Sequence, residues 1–318
     1  MQVYTALKRP TEVESSAHGS PGDDLSHLQG DKAKLRCPKK WLWCVTGGNK
    51  GIGYEIVKGL CKQLQGKVYL TARDETRGKQ ALTELKYLGF NPEFHQLDIT
   101  DQDSVDKFQC HIKENDGGID VLVNNAAIAF KADYIKTTGA LAEATVATNY
   151  FGTVRLCEAL FPLLRHNAQV VHVSSSVGHL SCIPSSDLKS KLSDPQLTVN
   201  KLNTLMNQFV SDVKNNTHET NGWSKHAYST SKVGLSALTL IHQREFNADV
   251  EQRNVSVNSV HPGYVNTDMT NHTGPLTPEE GARAPLFLAL GGHGLKGKYV
   301  WRDCTLVDWF GEDLPARY

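Results

Sequence analysis

The sequence predicts an α/β fold: a doubly wound, Rossmann-type parallel sheet with helices on both faces, in a single domain. Two observations predict it. From Trp41 onward, short apolar runs alternate with segments of helical periodicity, the pattern of repeated strand–helix units. The first run leads into a glycine-rich turn and then a helix, the start of a nucleotide-binding unit. The chain has 318 residues, long for one domain, but parallel α/β domains often reach about 250 residues. A polar leader plus one large domain is the simplest division.

The leader, 1–38, is rich in Ser, Gly, Pro and Asp and is expected to be disordered. Residues 39–318 form the domain. Trp41 to Thr46 reads as the first strand, and Gly51 to Gln65 as a helix with Ile52, Ile56, Val57, Leu60 and Leu64 at helical spacing. Lys67 to Ala72 is the second strand, followed by a helix over Arg77 to Leu88. The alternation continues with a strand over Phe94 to Leu97, a helix over Ser104 to Asn115 and a strand over Asp120 to Asn124. A long helix is expected over Leu141 to Leu164, a strand over Gln169 to Ser174, a helix over Tyr228 to Phe246 and a strand over Val255 to Val260. The stretch 179–222 breaks the rhythm. It contains a helical piece, Leu197 to Val213, and so long an excursion at the ligand end of a sheet is a lid or a solvated insertion.

Bulk properties exclude several classes. Basic and acidic residues balance at 34 each, so no global field attracts nucleic acid or an anionic membrane. No apolar run is long enough to span a bilayer. The acids of the leader argue against a mitochondrial presequence, and a cytoplasmic location is expected. The seven cysteines are scattered without a C-x-x-C pair and read as reduced, buried thiols, the alternative being a reactive thiol at Cys182 or Cys304. The histidines show no ligand spacing, so no metal is implied.

Ligands of parallel sheets bind beyond the carboxyl ends of the strands. After the first strand stands Thr46-Gly47-Gly48-Asn49-Lys50-Gly51-Ile52-Gly53. Gly47 permits a tight turn, Gly51 lets the backbone approach a pyrophosphate, and Gly53 lets helix and strand pack closely. The helix N-terminus then offers free N–H groups to phosphate. Arg73 ends the second strand, where an acid would select NAD and an Arg suits the 2′-phosphate of NADP. Lys50 and Arg77 can reach the same region, while Asp74 is a rival that could bond the ribose instead. After the third strand Asp98 could bond the adenine amino group, and after the fourth Asn125 and Ala126 would lie beside the cofactor. The candidate cofactor set is completed by Asn49, Ile52, Ile99, Tyr228, Lys232, Pro262, Gly263, Val265 and Thr267.

Tyr-x-x-x-Lys places two side chains one helical turn apart. It occurs at Tyr4/Lys8, Tyr54/Lys58 and Tyr228/Lys232, and only the third lies on a helix downstream of a hydroxyl-rich strand end. Reducing a carbonyl creates an alkoxide as hydride arrives, so a proton donor must stand at the oxygen. A nearby ammonium stabilises the phenolate and makes the phenol a better acid. One of Ser174, Ser175 and Ser176 should hold the carbonyl oxygen; alternation along a strand does not choose among them.

These motifs, with Leu70-Thr-Ala-Arg-Asp74, Asn149-Tyr-Phe-Gly152 and Thr267-Asp-Met269, resemble the short-chain dehydrogenase/reductases and, within them, the monomeric NADPH-dependent carbonyl reductases. The resemblance covers about Trp41 to Trp301. It implies reduction of quinones, aldehydes or ketones with NADPH, the alternatives being the same chemistry run as alcohol oxidation or on one dedicated metabolite such as a steroid, prostaglandin or pterin, or a nucleotide-sensing protein without turnover. It points to Ser175, three residues before the small Gly178, and to Asn149 as the fourth catalytic residue, anchoring a water that relays protons to Lys232. It places Ser175, Ser176, Val177, Tyr264 and Met269 at the substrate and makes Tyr264 to Gly274 a mobile substrate loop. The insertion implies a monomer, because it would cover the surface through which other members associate. The chain departs from the pattern at Ala127, where the family has Gly and a methyl would crowd the cofactor. Tyr264 stands where Trp is frequent and Ser176 where a larger apolar residue is common, implying a wider or more polar pocket.

Overall fold

The computed structural model describes residues 41–63, 66–312 and 314–315; the expected polar extension 1–38 lies outside them. Strands β1 (Trp41–Val45), β2 (Gly66–Ala72), β3 (Glu93–Gln96), β4 (Ile119–Asn124), β5 (Leu164–Val173), β6 (Ser256–Val260), β7 (Tyr299–Val300) and β8 (Leu306–Val307) form one eight-stranded sheet in the order β3-β2-β1-β4-β5-β6-β7-β8. Every pair is parallel except β7 with β8. The strand order reverses at β1 and β4, so the ends of these two strands open a crevice.

Side-chain alternation along β1 sorts the core. Trp43 and Val45 face α1 (Gly51–Gln63), α2 (Glu75–Tyr87) and α9 (Pro278–Ala289), through Ile56, Leu60, Leu85 and Leu288. Leu42 and Cys44 face α3 (Gln102–Asn115) and α5 (Gly152–Leu160), through Phe108, Ile112, Leu156 and Leu160. The expected long helix over Leu141–Leu164 is instead interrupted. It comprises α4 (Gly139–Val146), a π-helical turn Ala147–Phe151, α5 and a 3-10 turn Phe161–Leu163. Leu164 already belongs to β5, as Pro162 removes an amide donor where the helix ends.

The stretch 179–222 forms α6 (Ser186–Leu192) and α7 (Val199–Lys214). Leu202, Met206, Phe209 and Val213 of α7 pack with Val146 of α4 and with Val233 and Leu238 of α8 (Ala227–Asn247). This segment is therefore a buried layer against two helices and not a solvated excursion. Among the described cysteines, Cys110 is the exposed one, while Cys182 and Cys304 are half-buried. Burial also pushes the Cys304 thiol up.

Candidate active site

The glycine turn is held by β4. Thr46 Oγ1 accepts the N–H groups of Asn125 and Ala126 at 3.0 and 2.9 Å. The Asn125 amide donates to the carbonyls of Thr46 and Gly47 at 2.9 and 3.2 Å. Gly47 and Gly51 lie at φ +62° and +56°, where a side chain is strained. A Cβ on Gly53 would stand 2.3 Å from the Gly47 carbonyl oxygen, so only glycine lets α1 start this close to the turn.

A cleft of about 570 Å³ opens over this turn. Of the candidate cofactor residues, Gly47, Asn49, Lys50, Gly51, Ile52, Gly53, Arg73, Arg77, Ile99, Asn125 and Thr267 line it, as do Ala127 and Met269. Asp98, Pro262, Gly263 and Val265 do not. Oδ1 of Asp98 accepts from the Thr100 amide and hydroxyl at 2.9 and 2.7 Å, and Val265 is buried and bridged to Leu276. Asp74, the rival acid, also lines the cleft, and it caps α2 as well, accepting the Arg77 N–H at 3.0 Å. Lys50 Nζ reaches Asp268 at 2.7 Å, and His272 lies 3.1 Å from the same carboxylate. The Lys50 contact holds the Asp268 carboxyl below its usual range.

Tyr228 and Lys232 occupy the first turns of α8. The Lys232 amine lies 5.7 Å from the Tyr228 ring centre and donates to the Val173 carbonyl at 2.7 Å. Only 2% of Lys232 is exposed, and burial lowers its pKa from 10.5 to about 7. The structure also separates the serines. Ser174 Oγ is buried against α8, 2.8 Å from Ser236 Oγ and 3.2 Å from the Lys232 carbonyl. The Ser176 N–H donates to His261 Nδ1 at 2.8 Å in a buried turn. Ser175 is extended and half-buried, its hydroxyl accepting a long bond of 3.4 Å from the Val177 N–H. A Cβ on Gly178 would stand 2.3 Å from Ser174 Oγ and 2.9 Å from the Lys232 carbonyl, which is why a small residue follows there.

Asn149 sits in the π-helical turn, an irregularity common at functional sites. Its amide clasps the backbone of Ile128, accepting from the N–H at 2.8 Å and donating to the carbonyl at 2.9 Å. It also donates to Ser231 Oγ at 3.1 Å, and Ser231 in turn donates to the Tyr228 carbonyl at 2.8 Å. Ser175, Tyr228 and Lys232 are not among the residues lining the cleft; Ile128 is. Asn149 therefore joins the cleft wall to the helix that carries Tyr228. Of the remaining substrate candidates, Tyr264 is partly exposed with its hydroxyl bonded to Thr273; it, Ser176 and Val177 lie outside the cleft lining.

The family model described as short chain dehydrogenase matches residues 42–186 and 215–276. The chain belongs to the short chain dehydrogenase family. It is 41% identical to carbonyl reductase (NADPH) 1 of Rattus norvegicus over 83% of this chain and 97% of that protein. It is 43% identical to carbonyl reductase (NADPH) 1 of Homo sapiens over 80% of this chain and 94% of that one. Among solved structures, salutaridine reductase from Papaver somniferum superposes with a TM-score of 0.75 at 34% identity, covering 83% of this chain and all of the other. Menthone neomenthol reductase from Mentha piperita gives 0.71 at 30% identity, over 83% and 99% of the two chains.

The family's sheet also assembles groups that sequence reading missed. The buried carboxylate of Asp133 meets the start of α8, although the two lie far apart in the chain and no spacing links them. Helix α9 announces itself only through Thr277-Pro278-Glu279-Glu280, a capping box with proline in the first turn. Cys157, His172 and His242, from α5, β5 and α8, bring ligand-type atoms within 4.8 Å of one another in the core. Burial lowers His172 to about 3, and the Asn124 amide lies 3.1 Å from its Nδ1. Spacing along the chain gave no hint of this group.

Proposed function

We propose that this chain reduces the carbonyl group of quinones, aldehydes or ketones to an alcohol with NADPH, Tyr228 giving the proton. One observation carries the mechanism: a buried amine one helical turn along α8 from a phenol, on a helix that Asn149 and Ser231 tie to the wall of a glycine-lined cleft. The relatives named carbonyl reductase (NADPH) support the reaction class and the cofactor. The cleft suits a dinucleotide phosphate. Gly47, Gly51 and Gly53 line it, α1 begins among them and offers a helix N-terminus to phosphate, and the exposed Arg73 and Arg77 line it too.

NADPH supplies the hydride when bound. Ser175 would hold the carbonyl oxygen beside the Tyr228 hydroxyl, and the phenol proton quenches the alkoxide as it forms. Lys232, titrating near neutrality, would stabilise the phenolate in its charged form and return a proton to it. Asn149 holds this helix to the cleft wall, and its water-anchoring role remains part of the proposal. Met269 and Tyr264, on the segment after β6, would form the outer wall of the substrate site. The remaining parts of the reading are a monomeric state, with α7 covering the α4–α8 face, and a cytoplasmic location. Among the described residues no helix is long and apolar enough to cross a membrane.

The test is consumption of NADPH against NADH over a panel of a quinone, an aldehyde, a steroid ketone and a prostaglandin, with Tyr228→Phe alongside. Turnover with NADPH on simple carbonyls, lost in Tyr228→Phe, is expected. Full turnover by the phenylalanine variant would overturn the mechanism.

A further inference from the structure

The helix that carries Tyr228 lacks a cap of its own. Its N-cap residue is His226, whose side chain makes no capping bond. The first N–H groups of a helix need partners, and where the helix start is buried, water does not provide them. Ala227 is fully buried, and Ser229 and Thr230 nearly or fully so.

The partner comes from another part of the chain. In the 3-10 turn Lys131–Tyr134, Asp133 is only 2% exposed. Its two carboxylate oxygens separately accept the N–H of Ala227 at 3.1 Å and the N–H of Tyr228 at 3.0 Å. The Thr137 hydroxyl lies against Oδ1 and also 2.6 Å from the Lys225 carbonyl. The backbone carbonyl of Asp133 faces His226 Nδ1 at 3.0 Å. The Asp133 N–H closes a turn onto the Phe130 carbonyl at 3.1 Å, and Phe130 lines the cleft. Asn149 clasps the other end of this segment at Ile128. The cleft wall is thus fastened to the Tyr228 helix at two places, and one of them ends on the backbone of Tyr228 itself.

We infer that Asp133 is a positioning residue for the proton donor: its carboxylate caps the helix in trans and sets where Tyr228 stands against the wall formed by Ile128 to Phe130. The inference rests on the reading of Tyr228 as the acid. A carboxylate suits this task because it offers two acceptors to two diverging N–H groups. An asparagine offers one acceptor and turns a donor toward the other N–H.

The consequence falls mainly on the chemical step, because the contacts Asp133 makes go to the start of α8, to Thr137 and to Phe130 rather than to the residues read as holding the phosphates. The experiment measures kcat, KM for a simple quinone, NADPH affinity by fluorescence and NADPH-binding stoichiometry. The variants are Asp133→Ala, Asp133→Asn and Thr137→Val, and kcat is expressed per NADPH-binding site so that misfolded protein does not count. Asp133→Ala is expected to lower kcat at least ten-fold, with NADPH affinity and KM changed less than about three-fold. Asp133→Asn should fall between it and wild type, and Thr137→Val should lose a few-fold in kcat alone. Should Asp133→Ala not fold, the other two variants carry the same split. Unchanged kcat per binding site, or kcat and NADPH affinity falling in parallel, would overturn the inference. Tyr228→Phe is the control: if it keeps full turnover, the acid assignment has failed, whatever Asp133 does.

Discussion

Lys232 should cost this protein stability, and replacing it with methionine should return some. The amine is 2% exposed and burial brings its pKa to about 7 from 10.5. The sign follows from the two states. Below about pH 7 the amine is protonated folded and unfolded, and the folded state bears the whole cost of a buried ammonium. Above about 10.5 it is neutral in both states, and the cost vanishes. Stability from this group therefore rises with pH between about 7 and 10.5. At about 1.4 kcal/mol per pH unit, that separation bounds the cost at about 5 kcal/mol. Methionine keeps the length and removes the charge, but the Val173 carbonyl loses the bond it accepts at 2.7 Å, a cost of about 1–3 kcal/mol. Lys232→Met should thus be more stable than wild type by roughly 2–4 kcal/mol at pH 6, with the advantage gone by pH 10.5. It should also be inactive. Urea unfolding of both proteins at pH 6, 8 and 10 reads the difference. A wild type that is the more stable at pH 6, or a difference that ignores pH, would refute the reasoning.

Further tests probe the site. The reductive kcat/KM should rise as pH falls through about 7, as Lys232 gains the charge that stabilises the phenolate; a pH–rate profile flat across neutrality would contradict this. Arg73→Ser should raise the KM for NADPH roughly 10- to 100-fold, the worth of charge-assisted bonds to a phosphate, and leave that for NADH nearly unchanged. Gly53→Ala should destabilise by about 1–3 kcal/mol and weaken NADPH binding, because its Cβ would meet the Gly47 carbonyl at 2.3 Å; thermal melts and fluorescence titration measure both. Ala127→Gly should tighten NADPH binding a few-fold if the methyl in the cleft crowds the cofactor.

The order of the strands up to β6 and of most helices between them was written in the sequence, because periods of two and about 3.6 are local properties that alternate core contact imposes; the π-helical break between α4 and α5 and the short α6 were not. The glycine turn and the Tyr228/Lys232 face were written there too, since each depends on spacing within one turn or one helix. The short β7 and β8 were not legible: two-residue strands have no period to read, and they exist because the sheet edge offers them partners. Tertiary structure alone decided which of three adjacent serines is buried against α8 and which stays half-open. It alone gave Asp74 to a helix cap, turned the 179–222 stretch into a packed layer, and carried the Asp133 carboxylate to the start of α8. Such choices belong to contacts between segments far apart in the chain, where the partner of a polar group is set by the fold that encloses it and not by its neighbours in sequence.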